Sequence, residues 1–419
     1  MGGAGPSGLA FALMAARRGD EVVVHERFEA PRPVGSGFLL QPTGLAVLAA
    51  LGLDGAVRDK GAMIRRLYGE RARTGQAVLD VAYADLRGGE TALGLHRASL
   101  FEVLYAACLE AGVRFETGFE VAGHADGRFE ARDGRRSARF DLLVDALGTR
   151  SPLGRSRRDL SFGALWATVP LGGGFMGDAL EQRYQAARLM VGVLPHGAAP
   201  GIEGPSATFF WSLKPEQYAA WRAEGLEAWK ADVVRLWPET AGLLAAIADP
   251  DQMIPARYAH STRASMTEPG LAVIGDAAHS TSPQLGQGVN MGLLDAWALD
   301  RALAEHRDLD AALTVYAGSR WLHVRLYQAL SWAFTPFYQS DDPIRPAIRD
   351  HVLGWVSRIP PSPRLLAATV AGLLLDPRKR LGLSRPSPAA GRGSRRRSPR
   401  PGTPPASSPA RGGRSPARR

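Results

Sequence analysis

The stretch GGAGPSGLAFALMAARRGDEVVVHER, residues 2–27, decides the fold. Gly3, Gly5 and Gly8 form a G-x-G-x-x-G pattern opening an apolar helical run that ends near Gly19, and the run leads into a strand-like EVVVHE closing on Glu26. Each part has a use at a phosphate site. The first glycine makes a tight turn, the second lets backbone approach a pyrophosphate, and the third lets the helix pack closely on a strand. Ser7 lies inside the turn. Glu26, with Arg27 beside it, follows Gly8 by 18 residues, about where a carboxylate accepts hydrogen bonds from a ribose. The glycine pattern alone is common by chance. With helix, strand and acid in register it predicts an adenine dinucleotide site on a doubly wound α/β domain.

Such a turn is normally fed by a central strand buried on both faces, a near-continuous run of Val, Ile and Leu. Here only Met1 and Gly2 precede Gly3. Losing three or four such side chains removes about 5 to 12 kcal/mol, comparable with the whole stability of a domain. The expectation is therefore a chain whose first strand is missing, with about six to eight further residues belonging upstream.

A second motif separates the dinucleotides. GLAVIGDAAHSTSPQLGQGVNMGLLDAWALDRAL, residues 270–303, reads as a strand, a polar loop and a long helix from about Val289. An acid at a strand end holds a polyol chain, and Gly286, Gln287 and Gly288 free the backbone to approach a flat ring. The helix then points its positive end at whatever the loop holds, which stabilises the negative edge of a reduced flavin.

On these residues the chain resembles the flavoprotein aromatic hydroxylases, single-component FAD monooxygenases, over about residues 2–376. The resemblance implies that Gly275 and Asp276 bind the ribityl side of FAD, and that Pro283, Gly286, Gly288, Val289 and Asn290 lie along the isoalloxazine. In HRASLFEVL, residues 96–104, Arg97 falls on the family's arginine near the FAD pyrophosphate. The implied chemistry is borne by the flavin. NAD(P)H reduces it, dioxygen is captured as a C4a hydroperoxide, and an electrophilic oxygen passes to an aromatic, quinone-like or polyketide-type small molecule. No catalytic triad and no metal are expected. Pro283 and His279 remain as candidates for tuning the flavin, His279 having a structural hydrogen-bonding role as its alternative. One departure stands out: in DLLVDALGTRSPLGR, residues 141–155, the family's Asp-Gly pair is written Leu147-Gly148. Asp145 sits two residues away, so use of the nicotinamide donor is the property put in question.

Composition fits a soluble enzyme. The 419 residues, 45% hydrophobic, suffice for about two domains. The net charge of +10 is misleading, because 13 Lys/Arg and no acid follow from Arg378 onward, leaving 38 basic against 41 acidic side chains before it. This Arg/Pro/Ser-rich tail lacks core-forming residues, so residues 377–419 are expected to be disordered. No nucleic-acid role is expected for the core. The single cysteine, Cys108, lies on an apolar helical face, which excludes an intramolecular disulfide and fits a reducing cytoplasm. LLAATVAGLLL, residues 365–375, is too short to span a membrane.

The expected organisation is a Rossmann-like FAD-binding domain from segments 1–60, 94–156 and 258–305, interleaved with a mixed-sheet substrate domain from 62–93 and 157–257. A helical C-terminal segment, 306–376, caps the cleft. Trp166, Phe209, Phe210 and Trp211 are candidates either for an aromatic pocket wall or for the sheet's core. Two alternatives stay open: a flavin halogenase or reductase on the same scaffold, although the W-x-W-x-I-P segment of many flavin halogenases is absent, and a nucleic-acid binder acting through its tail.

Overall fold

The computed structural model describes residues 1–30, 35–154, 157–354, 357 and 359–385. The helix Pro6–Arg18 follows the glycine turn directly. Proline in its first turn costs no hydrogen bond there. Gly19, at φ 103°, ends it in the left-handed conformation, with the Gly19 and Asp20 N–H groups returning to Ala16 O and Ala15 O. Its apolar residues, Leu9 and Leu13 among them, are buried against the helices Arg97–Glu110 and Gly288–Glu305.

Two parallel strand pairs form the sheet beneath this helix, Val23–His25 with Arg114–Glu116, and Leu143–Asp145 with Leu271–Val273. Residues 1–3 join them. Gly2 N–H donates to Val144 O and Gly2 O accepts from Ala146 N–H, while on the other side Gly3 N–H donates to His25 O and Met1 O accepts from His25 N–H. The place where a longer feeding strand is expected is thus held, over this short span, by Met1 to Gly3. Burial pushes the Met1 amine down to about 5.

The second layer is a seven-stranded sheet in the order Ile254–His260, Arg158–Pro170, Ile202–Leu213, Leu189–Ala199, Ala179–Gln185, Arg66–Arg71, Ala77–Ala82. Its strands are antiparallel except where Ala179–Gln185 runs parallel to Arg66–Arg71. Both faces are buried. One packs Leu67, Val81, Tyr184 and Phe210 with residues 367–371; the other packs Phe209 and Val191 under Trp221, Trp229 and Trp237. A small sheet of Gly37–Leu40, Ala92–His96 and Ala62–Ile64 joins the layers.

The helix Leu309–Tyr338 packs on Gly288–Glu305, and the helix Ser362–Val370 closes over the large sheet. The stretch 365–375 is therefore a packing element, and among the described residues no helix is long and apolar enough to cross a membrane. The first residues of the expected disordered tail, 377–385, are ordered. Pro377–Arg380 form a helical turn, and Arg378 is buried in a bidentate pair with Glu90 at 2.9 and 3.0 Å. The rest of the expected tail, residues 386–419, lies outside the described residues. Cys108 is core: its thiol donates to Leu9 O and burial pushes it up to about 12.

Candidate functional site

A cleft of about 750 Å³ opens at the carboxyl ends of the parallel strands, where open α/β sheets bind ligands. One end is the glycine turn. Gly3 has φ +98°, and a Cβ there would stand 2.4 Å from Ala146 O; a Cβ on Gly8 would stand 2.3 Å from Gly3 O. Both glycines are thus demanded by the protein's own backbone. Gly5 differs, since beyond its chain neighbours no atom of the described residues lies within 4 Å of its notional Cβ. The open side of Gly5 belongs to the cleft, at the N-terminal end of Pro6–Arg18, where a pyrophosphate fits. Glu26 reaches the same turn, Oε2 accepting from Ala4 N–H at 2.8 Å. Its Oε1 accepts from Arg27 N–H at 2.9 Å, so two of its four lone-pair sites are left for a ligand.

The other end is the loop after Leu271–Val273. Asp276, Pro283, Gly286, Gly288 and Val289 line the cleft together with Gly3, Gly5, Ser7, Glu26, Arg27 and Arg97. Arg97 projects from the first turn of its helix, which His96 caps by accepting from Ala98 N–H. Five arginines, Arg27, Arg97, Arg132, Arg150 and Arg257, face three carboxylates along the walls, a balance suited to an anionic ligand.

Four residues singled out from the sequence stand behind the wall. Gly8 packs the helix on the turn. Gly275, at φ +62°, would bring a Cβ within 2.7 Å of Ser7 Oγ, so it locks the two loops together. Asn290 is fully buried and staples three backbone groups: it accepts from Gln41 N–H and donates to Leu39 O and Gly286 O. His279 is buried in a pair with Asp295, away from the cleft lining.

That pair is part of a network sequence reasoning missed. Asp295 accepts from Gly275 N–H at 2.9 Å, from Arg320 Nε at 2.7 Å and from His279. Burial alone would raise its carboxyl, but His279 and Arg320 outweigh burial and hold it well below the usual carboxylate range. Arg320 also donates to His323 Nδ1, and His323 Nε2 donates to Gly372 O. The partners of Asp295 lie 16 to 25 residues away in sequence, in elements that no local motif connects. Also missed were the flat side chains Phe28, Phe115 and Phe119 near Glu26, and Tyr258, whose hydroxyl accepts from Trp166 Nε1 at 2.9 Å.

None of Trp166, Phe209, Phe210 and Trp211 lines the cleft. Trp166 and Phe210 pack in the core on one face of the large sheet, Phe209 and Trp211 in the core on the other. At the departure, Leu147 lines the cleft and its N–H donates to Asp145 Oδ1 at 3.1 Å. Asp145 is fully buried, its other oxygen accepting from Ser151 Oγ, so its carboxylate braces the turn from behind. Burial raises its pKa, against the lowering effect of these two bonds.

A family model described as an FAD binding domain matches residues 2–320. The chain belongs to the FAD-dependent aromatic hydroxylases. This hydroxylase is 30% identical over 346 residues to 2-heptyl-3-hydroxy-4(1H)-quinolone synthase of Mycobacteroides abscessus, covering 76% of this chain and 83% of that protein. It is 26% identical over 331 residues to FAD-dependent urate hydroxylase of Klebsiella pneumoniae, covering 77% and 85%. Its fold matches that of Klebsiella pneumoniae HpxO complexed with FAD and uric acid with a TM-score of 0.74, over 88% of this chain and 96% of that one, at 23% identity. The hydroxylase is an oxidoreductase of the monooxygenase class, and FAD is its cofactor. The open side of Gly5 and the arginine-rich walls fit that group.

Proposed function

We propose that this hydroxylase uses NAD(P)H and dioxygen to insert one oxygen into a small aromatic, quinone-like or polyketide-type molecule. The observation that carries the reading is the cleft itself, which runs without a break from Glu26 past the glycine turn to the Pro283–Val289 loop. The relatives' names point to compounds of the same kind, a quinolone that one makes and urate that another hydroxylates. When bound, FAD supplies the electron transfer and oxygen activation.

The chain's own residues position and shield. Glu26 holds the ribose, and the N-terminal end of Pro6–Arg18 with Arg97 faces the pyrophosphate. Asp276 holds the ribityl hydroxyls. Gly286 to Val289 would present backbone to the flavin, and the positive N-terminal end of the 18-residue helix Gly288–Glu305 would favour negative charge on it. Leu39 and Phe38 give that end of the cleft an apolar wall that excludes water.

The test begins with cofactor content. The purified protein should be yellow and release FAD, not FMN, because FMN leaves the Gly3–Glu26 site empty. Asp276→Ala should weaken FAD binding by about 1.5 to 3 kcal/mol, the scale of a hydrogen bond to a charged group. Across a panel of phenols and quinolones, a true substrate should raise NAD(P)H oxidation while lowering peroxide release. A colourless protein that ignores added FAD would sink the reading.

A further inference from the structure

The outer side of the long helix Leu309–Tyr338 lacks the charges that a surface helix ordinarily turns to water. Its inner side, with Tyr316, Arg320, His323 and Tyr327, is buried. The outer side exposes Val315, Trp321, Leu322, Ala329, Trp332 and Ala333. Trp321 is 57% exposed and Trp332 67%. Trp332 follows Trp321 by 11 residues, three helical turns, so the two stand about 16 Å apart on one line of the helix. Between Thr314 and Ala333 the only Lys, Arg, Asp or Glu side chains are Arg320, which is buried, and Arg325, whose guanidinium is turned onto Arg263 O and Ala264 O.

The same character extends along the C-terminal part of the chain. Of the thirteen large hydrophobic side chains exposed among the described residues, ten fall between Val315 and Leu375. A second stripe, Ile344, Ile348 and Val352, starts where the long helix ends, and the buried Arg349 ties it there by donating to Phe337 O at 2.9 Å. Single exposed hydrophobics are ordinary, but a run of them on one helix side marks a contact surface.

Charge distinguishes among possible contacts. The excess cations lie at the same end of the sequence, 13 Lys/Arg and no acid from Arg378 onward, while the 38 basic and 41 acidic residues before it leave a net of −3. A second copy would cover the tryptophans but bring a like-charged C-terminus with it. A nucleic acid would neutralise the arginines and leave the helix side bare. An anionic bilayer surface satisfies both, because tryptophan and leucine enter the headgroup layer while arginines face acidic headgroups.

We propose that the hydroxylase docks on anionic phospholipid membranes through the outer side of Leu309–Tyr338, the arginine-rich C-terminus supplying attraction to the headgroups. The helix lies along the surface rather than across it, since its inner side is committed to the protein core. The docking requires nothing of the cleft, so it stands or falls apart from the proposed chemistry.

The test sediments the full-length protein with vesicles of phosphatidylcholine alone or of phosphatidylcholine mixed with phosphatidylglycerol. Binding to the mixed vesicles should be at least about tenfold tighter and should weaken as salt rises. Trp321→Ser combined with Trp332→Ser should weaken it at least about tenfold, with melting and FAD content as in the parent. Arg395→Gln, Arg396→Gln and Arg397→Gln together should cost about tenfold at low salt and little at high salt. Brominated lipid in the mixed vesicles should quench part of the parent's tryptophan emission, and the double tryptophan variant should lose that quenching. A parent that ignores the mixed vesicles overturns the proposal, whether it proves to be a dimer that the tryptophan variant dissociates or a binder of single-stranded RNA. So does binding that survives both tryptophan substitutions, since the arginines alone would then account for it, and so does equal binding to neutral vesicles. If the double variant misfolds, Trp332→Ser alone and the quenching of the parent decide.

Discussion

The two loops that meet across the cleft are held in opposite ways. The Gly3–Gly8 turn is fixed by backbone against backbone: at Gly3 and Gly8 a single methyl group would strike a carbonyl oxygen. The Gly275–Val289 loop is fixed by side chains, with Asp295 on Gly275 N–H, His279 and Arg320 on Asp295, and Asn290 on Gly286 O. The first loop should therefore reject added volume at Gly3 and Gly8. The second should respond to charge and to acid.

The largest effect expected is from Gly8→Ala. Its Cβ would lie 2.3 Å from Gly3 O and 3.2 Å from Ala146 Cβ, and neither backbone can retreat without breaking the hydrogen bonds that residues 1–3 make to both neighbouring strands. A loss of about 4 kcal/mol or more should follow, seen as insoluble or FAD-free protein. A variant that melts with the parent would show that the turn is looser than its contacts indicate.

Next in size is Asp295→Asn. It keeps the shape of the side chain but strips the counter-charge from Arg320, which is fully buried, and breaks the pair with His279. Removing one partner from a buried ion network costs about 3 kcal/mol, and thermal melting should show it. If Asp295→Asn melts as the parent does, the second loop is held by packing alone and the contrast between the loops disappears.

Acid should separate the loops more gently. His323 accepts from Arg320, and burial with that cation pushes its imidazole down to about 3. Below pH 6.5 the unfolded chain takes up a proton at this histidine that the folded protein does not. Stability is therefore complete above pH 6.5 and falls as the pH drops toward 3. Between pH 7.5 and 5.0 the loss should be about 2 kcal/mol for this one residue. His323→Gln should recover most of that difference when melting is compared at the two pH values, and an unchanged pH slope would remove His323 from the account.

The contrast also explains what the sequence disclosed. The glycine turn, its helix and Glu26 are legible because the pattern that announces them lies within one helix-plus-strand unit, although the turn also packs on Ala146. The glycines of the second loop are legible for the same reason. Its supports are not, since Asp295, Arg320 and His323 come from helices whose crossing no spacing encodes. The aromatic strand residues fail differently. Alternation puts Phe210 opposite Phe209 and Trp211, but both faces of the large sheet are buried, so alternation cannot say which face meets a ligand. Leu147 and Asp145 show a third limit, because the acid's direction depends on Ser151 and on the Leu147 N–H that it accepts.

The smallest stability effect should come from Gly5→Ala, which tests the first loop against itself. Gly5 sits between two glycines that the backbone demands, yet beyond its chain neighbours nothing among the described residues lies within 4 Å of its Cβ position. Its φ of −72° and ψ of 171° suit alanine as well as glycine. The N-cap preference for glycine and the lower unfolded-state entropy of alanine oppose each other, so the melting temperature of the FAD-free protein should change by no more than about 0.5 kcal/mol allows. FAD affinity should fall at least about tenfold, because the methyl group enters the space assigned to the pyrophosphate. A large drop in apo-protein stability would mean that the protein itself needs this glycine. Unchanged FAD affinity would mean that the pyrophosphate does not approach here, and the turn would lose the one feature that distinguishes a binding loop from a packing one.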